Sequence, residues 1–105
     1  MNIYDIFIAY VAWGEDGKRR PVMILEQGFE SVKVFNITTR YNEKGSAVRN
    51  KYFKINDWQL AGLNHESYID TNATVTLPQS SVEHLLGVLS ETDVQKLIEF
   101  LSQQA

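Results

Sequence analysis

The stretch GEDGKRRPVMIL, residues 14–25, decides how the first half of this chain is built. Gly14 and the Asp16-Gly17 dipeptide make its opening a turn, and Pro21 begins an unbroken apolar run. Ahead of it lies YDIFIAYVAW, residues 4–13, rich in β-branched and aromatic types. Two such runs joined by a glycine-containing turn predict a β-hairpin, with strands over 4–13 and 21–27 and the turn over 14–18. A residue before proline is held extended, so the backbone of Arg20 is fixed where the turn meets the second strand.

Working outward, SVKVFNIT (31–38) alternates, with Val32, Val34 and Asn36 on one face and Lys33, Phe35 and Ile37 on the other, after a turn at 27–30. YNEKGSAVR (41–49) is polar, basic and glycine-containing and reads as a mobile loop; Lys51 to Ile55 returns as a short strand. Residues 56–62 read as one capped helical turn, with Asn56 as N-cap and Gly62 at its end. Two extended pieces follow at 67–70 and 73–77, stopped by Pro78, and then a short turn over 81–86. Ser90-Glu91-Thr92-Asp93 has the spacing of a capping box, and Val94, Leu97, Ile98 and Leu101 recur at helical spacing, which predicts a C-terminal helix. Strands in meander order without strand-helix-strand alternation predict a mostly β fold: a small antiparallel sheet curled into a partly closed barrel, carrying one C-terminal α-helix. An all-β sandwich is the alternative.

At 105 residues the chain suits a single domain over 1–105, and 44 % apolar with 22 % charged residues is the balance of a globular protein. No cysteine is present, which excludes disulfides and thiolate chemistry and suits a reducing compartment, with the cytoplasm as the default. The apolar N-terminus lacks a basic leader and is interrupted by Asp5. No run approaches the ~18 apolar residues of a membrane span, so neither a targeting segment nor a membrane partner is expected. His65 and His84 stand far apart with no carboxylate at ligand spacing, so no metal site is expected. There is no phosphate-binding loop followed by a helix and no Gly-x-Ser-x-Gly elbow.

The net charge of −3 conceals an uneven distribution. Between Lys18 and Lys54 nine cations face three acids, a local balance of +6, which can present a basic face to phosphates on a protein that is acidic overall. Within that segment Arg20 can fork onto a phosphate, its five donors matching the oxygens bidentately. Thr38 and Thr39 close the third strand beside the basic loop, where a hydroxyl can bond the same anion. The competing reading pairs Arg20 with Glu15 or Asp16 at the surface and leaves both threonines as ordinary strand-end residues.

The run GEDGKRRPVMIL, the ITTR of 37–40, the AGLNHESYIDT of 61–71 and the LLGVLSETDVQKLIEFL of 85–101 occur in an order that resembles the MazF/PemK family of bacterial toxins over nearly the whole chain. The Arg-Pro pair entering an apolar strand is the most specific element. The resemblance implies an SH3-like barrel, commonly a homodimer, that cleaves single-stranded RNA without metal or other cofactor and is silenced by a cognate antitoxin. It places the family's catalytic arginine at Arg20, its strand-end threonine at Thr38 and an acidic loop residue at Glu15. The first loop is short here, and Tyr4 stands where a glycine often precedes the first-strand aspartate.

The implied reaction is attack of a ribose 2′-hydroxyl on the adjacent phosphorus, with expulsion of the 5′-oxygen. Arg20 and Thr38 would stabilise charge growing on the phosphoryl oxygens. Arginine is a poor base, so the base is left open, with Glu15 a candidate. Lys18, Arg19, Thr39, Arg40, Lys44, Arg49 and Lys51 would grip the RNA backbone, and Tyr41, Tyr52 or Phe53 would stack on a base or else pack in the fold. Two other classes stay open: a CcdB-like barrel that inhibits a protein such as DNA gyrase, and a binding module that keeps the scaffold without activity.

Overall fold

The computed structural model describes residues 1–104. Six strands run β1 (Asp5–Trp13), β2 (Asp16–Gln27), β3 (Ser31–Thr38), β4 (Tyr52–Lys54), β5 (Tyr68–Pro78) and β6 (Val82–Val88). A short helix α1 (Ser46–Arg49) precedes β4, and helix α2 (Glu91–Ser102) closes the chain. All pairings are antiparallel, in the order β4-β5-β3-β2-β1-β6. Register shifts between Ile24 and Glu26 in β2, between Val34 and Asn36 in β3, and at two places in β1 bend the sheet, as bulges do. The curled sheet is the expected fold, with α2 against it; β4 and β6 are its two edges and share no ladder.

Two apolar layers result. Ile6, Met23, Phe35, Ile37, Phe53, Ile55 and Ile69 face α2, whose Leu97 is fully buried among them. Ala9, Val11, Val22, Ile24, Val32, Val34 and Leu77 form the second cluster on the opposite face. Period-two alternation assigns β3 to both, Val32 and Val34 to one and Phe35 and Ile37 to the other, as its sequence predicts.

The structure corrects several readings of the sequence. The hairpin turn is Gly14-Glu15 alone, because Trp13 pairs with Asp16. Gly14 has φ +57° and Glu15 does not have a positive φ, the pattern of a two-residue turn with glycine first. Strand β2 therefore starts at Asp16, not Pro21, and Gly17 lies in the ladder opposite Ala12, under the Tyr10 ring. The pieces at 67–70 and 73–77 are one strand, β5. Residues 82–88 form edge strand β6 rather than a turn, and the basic loop is structured by a 3₁₀ turn at Tyr41–Glu43 and by α1.

The turn at 56–62 is capped from another element. The carboxylate of Asp93, fully buried in the first turn of α2, accepts from the backbone N–H groups of Asp57 (2.8 Å) and Asn56 (3.3 Å) and from Asn56 Nδ2 (3.4 Å). Ser90 accepts from the Asp93 backbone N–H, as the capping box predicts, and donates to Asp57 Oδ2 at 2.7 Å. Gly62 ends the turn at φ +81° and lies directly on the Leu86 carbonyl, a contact with no room for a Cβ. No helix among the described residues is long and apolar enough to cross a membrane.

Candidate phosphate-binding cleft

The β2–β3 ladder begins at Val22 opposite Asn36. Continuing that register by two residues sets Arg20 opposite Thr38, where Pro21, lacking an N–H, cannot extend the ladder. The strands part there and leave a cleft of about 440 Å³, lined by Arg20, Pro21, Thr38, Thr39 and Tyr52 together with Trp13, Lys18, Arg19, Arg40 and Lys44. Five cations and no carboxylate line it.

Arg20 is half-buried. Its Nη2 donates to the Ile37 carbonyl at 3.3 Å, while its Nε is buried with no hydrogen-bond partner. It takes part in none of the ion pairs among the described residues. The pairing with Glu15 or Asp16 that would have made it a plain surface cation is thus absent. Burial pulls its pKa below the ordinary arginine value, against Asp70 and Tyr52, which push it up, and Arg40, which lowers it further. The guanidinium stays charged at neutral pH. The Thr38 hydroxyl oxygen accepts from the Arg40 backbone N–H at 3.0 Å, which leaves its own proton free to donate.

The other expected residues divide. Lys18, Thr39, Arg40 and Lys44 line the cleft; Arg19 does too, but its Nε donates to both oxygens of Glu83, at 2.9 and 2.8 Å. Glu15 sits exposed at the hairpin tip and is not among the lining residues. Arg49 and Lys51 are outside as well. Arg49 lies over the Tyr41 ring at 5.4 Å, and that ring stacks on Tyr68 with centroids 4.4 Å apart. Phe53 is buried edge-on against Phe100. Of the three aromatics considered for stacking, only Tyr52 borders the cleft.

Two groups were not foreseen. Trp13, half exposed, ends β1 on the cleft wall; an exposed tryptophan beside a turn was the available signal. Asp70 stands across the sheet from both Asn36 and Tyr52 and is the main charge opposing the effect of burial on Arg20. Only the registers of β5 with β3 and β4 could have placed it there.

Burial, and secondarily Asp70, raise the Tyr52 pKa above the ordinary value of 10.0. A raised pKa means that the folded state keeps the proton longer than the unfolded chain. The resulting stability is complete below about pH 10 and is lost as pH rises through the folded value. Tyr52→Phe should lose less stability between pH 9 and 11.5 than the parent chain in urea titrations; parallel curves would contradict the assignment.

The same fold occurs in solved toxins. The Mycobacterium tuberculosis toxin MazF-mt6 superposes with a TM-score of 0.73 at 25 % identity, over 94 % of this chain and 93 % of that one. An endoribonuclease in complex with its cognate antitoxin, from Mycobacterial species, gives 0.65 at 12 % identity, over 95 % and 87 %. No family model and no curated protein matches the sequence.

Proposed function

We propose that this chain, which has the fold of the MazF/PemK-like toxins, is an endoribonuclease that cleaves single-stranded RNA without a metal ion and is restrained by a cognate antitoxin. The observation that carries the reading is the convergence of Arg20, which forms no ion pair among the described residues, with Thr38 on one cationic cleft. A phosphodiester seated there has its non-bridging oxygens beside donors already in place. Such donors act most strongly on the extra charge of the pentavalent transition state.

In the reaction the 2′-hydroxyl oxygen bonds to phosphorus and its proton leaves to a base. The bond to the 5′-oxygen breaks and that oxygen takes up a proton, giving a 2′,3′-cyclic phosphate and a 5′-hydroxyl end. Arg20 stabilises the phosphoryl charge, its Nη2 held on the Ile37 carbonyl, and the negative charge of Asp70 opposes the effect of burial on the guanidinium. Glu15 reaches the 2′-hydroxyl only if the hairpin tip folds over bound RNA. Lys18, Arg40 and Lys44 hold the flanking backbone, Trp13 and Tyr52 offer aromatic surface to unpaired bases, and the toxin works as a homodimer.

The test is incubation of the purified chain with mixed single-stranded RNA in EDTA, with end-group analysis of the fragments. Cleavage with cyclic phosphate ends supports the reading; RNA left intact while expression arrests growth points instead to a protein target. Thr38→Val removes one donor from the cleft and the exposed acceptor of the Arg40 N–H, but nothing from the core. Cleavage should slow about 10²-fold while the melting temperature falls by no more than about 5 °C.

A further inference from the structure

Beside the cationic cleft is a second hollow of about 270 Å³, and the two share a wall made by Pro21 and Thr39. Its character is different. Ile8, Leu63 and Leu86 give it apolar sides, and no charged carboxylate or ammonium lines it. Asn64 and His65, both exposed, supply its polar groups, while Ser67 is buried and donates to the His65 carbonyl at 2.7 Å. The volume lies below the ~300 Å³ at which sites for drug-sized ligands begin, so it suits one planar ring.

An occupant that fills both hollows must join an anion to a flat, largely apolar ring with a polar edge, across the width of one proline and one threonine. A nucleotide does this. We infer that the second hollow receives one base adjoining the scissile phosphate, and that Asn64 reads its edge. The inference rests on the nuclease reading of the neighbouring cleft. Single-stranded RNA can splay a base out of its stack for such a pocket, and a side-chain amide presents a donor and an acceptor together, as base edges do. The apolar sides hold any base, so the amide carries the discrimination.

The loop that carries Asn64 is anchored at both ends. Gly62 lies on the Leu86 carbonyl, and Ser67 accepts a backbone bond from Ile55 at 3.0 Å.

The experiment compares the intact wild-type chain with Asn64→Ala and Leu86→Met on a randomised single-stranded RNA pool, sequencing the cut ends. Asn64 is exposed, so its truncation leaves the core alone; Leu86→Met reshapes the apolar wall with little change of volume. The expected result is a base preference at one position beside the wild-type cut that falls about tenfold in Asn64→Ala. Cutting of the formerly disfavoured sequences should be retained, and Leu86→Met should shift the preference at the same position. An unchanged preference in Asn64→Ala overturns the inference, whether the rate is kept or falls uniformly on all sequences, and leaves the nuclease reading standing. A wild-type chain that cuts no RNA overturns both, and is told apart by the absence of any cut ends to sequence.

Discussion

Arg20→Ala is expected to slow RNA cleavage by about 10⁴-fold, the range in which removal of an arginine that stabilises a phosphoryl transition state falls. The reason is local. Arg20 is the one lining cation that is half-buried against the strand junction, whereas Arg19 is drawn to Glu83 and Arg40 to Glu43. No neighbour replaces its forked geometry. Arg20→Lys keeps a charge but loses the two-pronged contact, so it should recover no more than a small part of the rate. The fold should survive, since the substitution costs one 3.3 Å bond to the Ile37 carbonyl and relieves an unpartnered buried Nε. Initial rates on a labelled single-stranded oligonucleotide, with circular dichroism melts alongside, check both halves. A variant within tenfold of wild type would remove Arg20 from the mechanism.

The largest effect on stability is expected at Gly62. Alanine there must adopt φ +81°, which costs about 1 to 2 kcal/mol for a residue with a Cβ. Its methyl group would also be driven into the Leu86 carbonyl, a backbone atom of a strand already paired to β1. Nothing on either side is a flexible side-chain tip, so the loop or β6 must move. The sum should be about 4 kcal/mol, a fall in melting temperature on the order of 20 °C for a domain of this length. Gly87→Ala, whose Cβ would come 2.6 Å from the Ala61 carbonyl without a positive φ, should cost less. Thermal and urea denaturation measure both, and a Gly62→Ala loss below about 1 kcal/mol would mean that the contact yields easily.

The fold was legible where the signals are local. The hairpin showed in two apolar runs around glycine, β3 in its alternation, and α2 in its cap and period, and each is present. What failed were places where tertiary pairing decides. Residues 81–86 read as a short turn, yet β1 recruits 82–88 as an edge strand, leaving Leu85 and Val88 half exposed. Asp16-Gly17 has the composition of a turn, but the tighter Gly14-Glu15 turn leaves it free to pair.

The cleft divides in the same way. Arg20 was legible because Pro21 fixes its backbone, and Thr38 because it ends an alternating strand. Their convergence follows from a register that both strands encode. Asp70 and Tyr52 meet only through the β4–β5 pairing, and Gly62 and Leu86, which both line the hollow beside Asn64, come together only through the close approach of the Gly62 backbone to the Leu86 carbonyl. No spacing in the sequence expresses a contact between segments so far apart.

The buried Asp93 has a bearing on how the molecule comes into being. Synthesis runs from the N-terminus, so every strand of the sheet leaves the ribosome before the helix whose carboxylate secures residues 56 and 57. The turn at 56–62 stays without its clasp until residue 93 has been made, and a product truncated before that point would carry the cations of 18–54 but not a secured turn beside them.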